Sequence, residues 1–202
     1  MTHIQEVGAL VPDQGAAGPE IPASWRGDAS ESAWRCCCED EAAMTDEQLR
    51  HLTRAIALAA AAREHGNHPF GSLLVDGDAN IVLEAENTVV TGRDCTAHAE
   101  LNLVRAAVSQ FEPEHLAACT LYTSTEPCAM CAGAIFWSGI GRVVFALSSA
   151  TLGELVDDPT GAWTLAVSCR DVFEHGGRAV DVQGPLIEDQ ARLVHEGFWA
   201  SA

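Results

Sequence analysis

Residues 96–137 read TAHAELNLVRAAVSQFEPEHLAACTLYTSTEPCAMCAGAIFW. Two clusters of chemistry-bearing residues stand in this stretch. The first is His98-Ala99-Glu100; the second, after the strand-like run ACTLYTS, is Pro127-Cys128-Ala129-Met130-Cys131. One imidazole and two thiolates give a zinc ion three protein ligands and leave a fourth position for water, which is the ligand count of a catalytic site. Cys128 and Cys131 lie three apart behind a proline, so a helix opened by Pro127 places both sulfurs on one face of its first turn. The positive end of that helix dipole, added to the charge of a metal, favours thiolate over thiol. Glu100 follows His98 by two residues, at the start of the apolar segment LNLVRAAV. A carboxylate there is close to the metal but free of it, and can move protons to and from an activated water.

A second reading of the same residues is structural. Cys95 stands three before His98, so the chain also spells C-x-x-H followed by C-x-x-C, enough to close a four-ligand zinc site. Structural zinc knuckles serve small folds that lack a core, whereas 202 residues with 48% hydrophobic content need no such staple. The structural reading also leaves Glu100 without a purpose.

Outward from this stretch, the pattern alternates. Leu49, Leu52, Ile56, Leu58, Ala59 and Ala62 recur at helical spacing over Asp46–Glu64, with Thr45 as the N-cap, Asp46 and Glu47 in the first turn and Gly66 as the stop. HPFGSLLVDGDANIVLEAENTVV then holds two short apolar runs around Asp76-Gly77-Asp78-Ala79-Asn80, a hairpin whose second strand ends at Asn87. Further strands are expected near 119–124, 142–147 and 178–184. Helices are expected near 98–110, 129–138, 162–175 (closed by Gly176-Gly177) and from Glu188 to Glu196. Strands alternating with helices predict an α/β fold with a mixed sheet.

The first 43 residues differ from the rest. They hold Pro12, Pro19, Pro22 and four glycines with no sustained period, so residues 1–43 are expected to be a disordered leader and the functional domain to span 44–202, starting afresh at Met44. Cys36-Cys37-Cys38 cannot all face one ion and is read as incidental. No signal peptide is evident, and AIALAAAA is too short to cross a bilayer, so a soluble cytoplasmic protein with reduced thiols and no membrane partner is expected. Cys119 and Cys169 read as small core residues. The chain carries 11 arginines, no lysine and 29 acids, a formal net charge of −18. Such a balance argues against holding a phosphate backbone and for a small neutral or cationic substrate.

Residues 44–147 resemble the cytidine-deaminase-like superfamily of zinc nucleobase and nucleoside deaminases, which includes bacterial guanine deaminase, yeast-type cytosine deaminase and the tRNA adenosine deaminases. The resemblance rests on His68-Pro69-Phe70-Gly71, Asn87, Thr96-Ala97-His98-Ala99-Glu100 and the run from Leu121 to Ile135. H-x-E followed by P-C-x-x-C is itself the recognised zinc deaminase signature. The resemblance implies a three-layer α/β/α fold with a five-stranded mixed sheet, one zinc per chain on His98, Cys128 and Cys131, and Glu100 as the proton shuttle. It further implies that Asn87 reads a base edge, although Asn87 also reads as a strand-end turn residue. Phe70 would pack on a ring or in the core, and Trp137 would stand near the pocket or in the core. Cys95 departs from the pattern, since relatives often have proline there.

The implied activity is hydrolytic deamination of a small aminated heterocycle with release of ammonia. A guanine-type base or nucleoside comes first and cytosine second, with Pro69-Phe70-Gly71 and Phe136-Trp137 resembling the guanine deaminase branch. Asp157 or Asp158 is placed to accept ring N–H groups, unless the pair is only an acidic turn before Pro159. The alternatives are a tRNA adenosine or cytosine deaminase, and a structural zinc or catalytically silent binding protein. From Met44 onward 21 acids face 9 arginines, which disfavours the tRNA reading. Relatives are usually dimers, so a homodimer is expected, with Phe136-Trp137 and Phe198-Trp199 either at that interface or finishing the chain's own core.

Overall fold

The structure, a computed structural model, describes residues 44–156 and 165–199. The expected leader, Cys36-Cys37-Cys38, Asp157 and Asp158 lie outside the described residues. Helix α1 occupies Asp46–Glu64, the span read from the sequence. Its N-terminus closes as a capping box. Thr45 Oγ1 accepts from Gln48 N at 3.1 Å, and Gln48 Oε1 accepts from Thr45 N at 3.0 Å, so two otherwise orphaned donors are satisfied reciprocally. Strands β1 (Gly71–Val75) and β2 (Ile81–Glu86) form the hairpin, and Asp76 Oδ1 holds its turn by accepting from Asp78 N and Asn80 N.

β3 (Thr120–Thr125), β4 (Arg142–Leu147) and β5 (Asp181–Gln183) complete a five-stranded sheet in the order β2-β1-β3-β4-β5. β1 runs antiparallel to both β2 and β3, while β3, β4 and β5 run parallel. Parallel neighbours need a crossover, which helix α5 (Ala129–Ser138) supplies between β3 and β4. The sheet is therefore mixed, as expected.

Successive strand residues feed opposite layers. Leu74, Leu121, Val143 and Phe145 pack with Leu103, Val104 and Ala107 of α3 (Ala99–Val108), Leu116 of α4 (Pro113–Ala118), Ile135 of α5 and Phe173 of α7 (Cys169–Glu174). Leu73, Val75, Tyr122, Val144 and Ala146 pack instead with Leu52, Ala55 and Leu58 of α1 and Ala191 of α8 (Glu188–Arg192). Leu152 and Leu155 of α6 (Ser149–Leu155) border this second cluster. Each large apolar side chain fully buried this way contributes about 1.5–3 kcal/mol, so both layers are needed to hold the sheet.

Gly71 marks where α1 lies closest to the sheet. A Cβ at this position would stand 2.5 Å from Ala59 N and 2.6 Å from Ala55 O, so the glycine of the Pro69-Phe70-Gly71 motif is what lets helix and strand meet.

Several expected boundaries shift. Pro127 does not open α5: Cys128 is the N-cap, and the helix starts at Ala129. Of the helix expected over 162–175, the described part is 169–174, started by a Ser168–Asp171 capping box. The last strand covers 181–183 rather than 178–184, because Arg178 has another task. Its guanidinium donates to Ile135 O, Phe136 O and Ile140 O, closing the C-terminal end of α5. The final helix stops at Arg192 and continues as a 3-10 turn, Leu193–His195. Helices α2 (Val89–Gly92), α4 and α6 were not anticipated; none is long enough to display a helical period.

Candidate active site and metal centre

Two helix N-termini converge on one point. His98 is the N-cap of α3 and Cys128 the N-cap of α5, with Cys131 in the first turn of α5. His98 Nδ1 lies 3.7 Å from Cys128 Sγ and 3.5 Å from Cys131 Sγ, and all three atoms fall within 4.8 Å of one another. With Zn–S near 2.3 Å and Zn–N near 2.0–2.1 Å, tetrahedral ligation needs N···S separations of about 3.6 Å and an S···S separation of about 3.8 Å. The triangle therefore has the size and donor chemistry of a zinc site. Among the described residues, this is the group of His, Cys, Asp and Glu side chains placed to hold a metal. Cys95 is exposed and outside the triangle, so the four-ligand reading loses its fourth ligand.

Electrostatics agree with that reading. The Cys128 thiol is drawn down to about 4, chiefly by the hydrogen bond it shares with Cys131, while the same bond and burial push Cys131 up. The His98 imidazole is raised by its hydrogen bond to Cys128. One thiolate thus stands ready between two proton-bearing neighbours, and a divalent cation takes the place of those protons.

Glu100 sits at the second position of α3 and is only 5% exposed. Its Oε2 is 3.6 Å from Cys131 Sγ, and its Oε1 lies 3.3 Å from Thr123 Oγ1. Thr123 in turn accepts from Ser72 Oγ at 3.0 Å, so its single proton is shared between Glu100 and Gly71 O, 3.4 Å away. Burial raises the Glu100 carboxyl above the usual range, which suits a group that must carry a proton part of the time. The sequence reading missed Thr123 and Ser72. The alternation of TLYTST, which turns Thr123 to the same side as Leu121, is the signal that could have found Thr123.

Asn87 follows β2 and is 0% exposed. Its Oδ1 accepts from Val89 N at 3.0 Å, so the turn role is real, but its Nδ2 is buried with no partner. Phe70 is its neighbour across the hairpin mouth, where Asn87 N donates to Phe70 O at 3.0 Å. Phe70 also precedes Gly71, whose carbonyl shares the Thr123 proton with Glu100. Trp137 differs from expectation. It is 84% exposed, meets Phe136 edge-on, and lines an outer groove of about 290 Å³ with Val108, Phe111 and Leu116. It therefore does not stand in a pocket formed within this chain, because the helical phase that buries Ile135 turns the second residue after it outward. The sequence reading also left the C-terminal aromatics unassigned between interface and core. Phe198 and Trp199 pack back on His68, with ring centroids 6.0 and 5.6 Å away.

A three-ligand metal triangle beside a buried carboxylate, on an α/β/α sandwich, defines a hydrolytic metalloenzyme site. Residues 45–147 match the cytidine and deoxycytidylate deaminase zinc-binding region, and the chain belongs to that family. It is 42% identical to the "Probable cytosine deaminase" of Schizosaccharomyces pombe over 156 residues, covering 77% of this chain and 94% of that protein. The tRNA-specific adenosine deaminase of Haemophilus influenzae is 41% identical over 110 residues, covering 54% of this chain and 62% of that one. A solved guanine deaminase from Nitrosomonas europaea superposes with a TM-score of 0.63 at 25% identity, covering 77% of this chain and 85% of that one. The chain is thus a zinc-binding deaminase of the fold expected.

Proposed function

We propose that the protein hydrolytically deaminates a small neutral amino-heterocycle, with cytosine first and a guanine-type base second. The observation that carries this reading is the buried Glu100 carboxylate beside the His98–Cys128–Cys131 triangle. A zinc ion held by those three residues would supply activated water near neutral pH. Glu100 would take the proton from the attacking water and return one to the departing amine, while Thr123 keeps the carboxylate oriented. Asn87 Nδ2 offers a fixed donor to a ring nitrogen or carbonyl, and Phe70 a flat apolar wall.

The order of substrates reverses the sequence-based expectation. Trp137, part of the case for guanine, lies on the outer surface, and Asp157 and Asp158 are outside the described residues. The S. pombe relative, by contrast, aligns over nearly its whole length. Guanine stays second because the N. europaea guanine deaminase shares the fold. The excess of 21 acids over 9 arginines from Met44 onward favours a base or nucleoside over a polynucleotide. Exposed Trp137 and Val108 support the expected homodimer, one zinc per chain completing each site. No described helix is long and apolar enough to cross a membrane, and the free thiols of Cys95, Cys119, Cys128, Cys131 and Cys169 support a reducing compartment such as the cytoplasm.

The test is ammonia release by the zinc-loaded protein from cytosine, guanine and their nucleosides. Activity should be lost in Glu100→Ala. No release from any of them by the wild type, with release from a tRNA anticodon stem-loop instead, would overturn this reading.

A further inference from the structure

Three buried side chains gather at one place with polar atoms that nothing in the protein satisfies. They are Asn87 with Nδ2, His195 with both ring nitrogens, and Trp199 with Nε1. Leaving a buried polar atom unpaired costs about 1–3 kcal/mol, so several around one spot call for a ligand that pairs them. His195 is 2% exposed, and neither solvent nor a neighbouring residue serves its ring.

These side chains border the site already described. Phe70 is flanked by both tail rings: His195 at 5.4 Å and Trp199 at 6.1 Å between centroids. His195 and Trp199 are stacked on each other at 6.0 Å with their planes 12° apart. Phe70 in turn receives the Asn87 backbone N–H and adjoins Gly71, which shares the Thr123 proton with Glu100. On the other flank, His68 meets Trp199 at 5.6 Å and lies close enough to His98 to feel its charge.

The tail is held in this position from α1. Arg63 Nη1 donates to Val194 O at 2.8 Å and Glu196 O at 3.0 Å, pinning the backbone on both sides of His195. The guanidinium also lies over the Phe198 ring, 5.7 Å from its centroid. An ordered clamp around an unsatisfied imidazole is what a preorganised binding wall requires.

We propose that His195 and Trp199, brought in by the C-terminal turn, are substrate-contacting residues that complete with Asn87 and Phe70 the wall for a flat, neutral, acceptor-bearing heterocycle. The assignment rests on the deaminase reading above and adds its specificity determinants. Asn87 Nδ2 and Trp199 Nε1 are donors only, so they demand ring nitrogens or carbonyls on the ligand. A neutral imidazole adds one donor and one acceptor, which matches a ring bearing a carbonyl beside an N–H. Burial keeps His195 uncharged near neutral pH, so the wall gives no charge to a phosphate and discriminates against nucleotides.

The experiment uses the full zinc-loaded chain with His195→Leu, which keeps an apolar side chain, and Trp199→Phe, which removes the N–H while keeping a ring. Equilibrium dialysis with cytosine and with guanine is run beside steady-state turnover and thermal melting at pH 8. Each variant should weaken binding and raise KM about five- to tenfold, the scale of one lost hydrogen bond, with kcat changed far less and the melting midpoint not lowered. Wild-type binding by both variants overturns the assignment, even where the wild type turns over and the deaminase reading stands. A wild type that binds a base without releasing ammonia sinks the deaminase reading alone, and the dialysis still decides the tail's role. A wild type that binds neither base overturns both.

Discussion

His98 and Cys128 are N-cap residues of two different helices, α3 and α5, and their side chains meet with Nδ1 and Sγ 3.7 Å apart. An N-cap side chain ordinarily folds back on its own first turn. Here the two helices present their positive ends to one point, and thiolate and carboxylate gather where that field is strongest.

Metal content is the first consequence. Purified protein should hold about one zinc per chain, and His98→Ala or Cys128→Ala should lose it, since two remaining ligands make a poor site. Cys95→Ser should keep both metal and activity. Elemental analysis decides the matter, and zinc loss in Cys95→Ser would restore the four-ligand structural reading.

Glu100→Gln keeps the shape and the Thr123 contact but removes the exchangeable proton. Zinc should remain bound, while turnover falls about a hundredfold or more, the usual scale for a general acid–base group. Near-normal kcat in a zinc-replete Gln variant would remove Glu100 from the mechanism.

Gly71→Ala tests the contact between α1 and β1. The new methyl would meet backbone atoms of Ala59 and Ala55, which cannot swing aside as a flexible side chain could. A loss of about 3 kcal/mol is expected by urea denaturation, at the upper end for overpacking. A change within experimental error would mean that the helix shifts freely over the strand.

His195 should leave a signature in stability against pH. Burial, assisted by the Arg63 charge, holds its folded pKa down to about 4, against 6.5 for the free ring. The unfolded state therefore binds more protons between about pH 6.5 and 4, and stability falls as pH drops through that window, levelling off below it. The shift is worth about 3 kcal/mol. His195→Leu should remove this part of the loss, gaining on the wild type as the medium is acidified from pH 7 to pH 4.5. Parallel denaturation curves at every pH would show that the imidazole is not held neutral.

The three metal-binding side chains, Glu100, α1 with its Thr45 cap, the hairpin and the parallel strands were legible because each is a local pattern. A capping residue, a period of two or 3.6, and a pair of cysteines three apart announce themselves within a few positions. The short helices and the trimmed last strand were not legible. A helix of four to seven residues displays no period, and Arg178 gave up a strand position for carbonyls of a distant helix end.

The sequence by itself determined the chemistry: one imidazole, two thiols and one carboxylate at spacings that suit a zinc deaminase. Only the tertiary structure decided what surrounds it. Trp137 and Trp199 are both aromatic residues beside a phenylalanine, and nothing local distinguishes them. One is turned to the surface by the phase of α5, while the other is drawn against Phe70 because Arg63 holds the tail. Which face a residue presents, and which distant ring it meets, depends on the order of strands and the clamping of segments far apart in the chain. Those contacts form only once the sheet has brought the two ends together, so no window of sequence contains them.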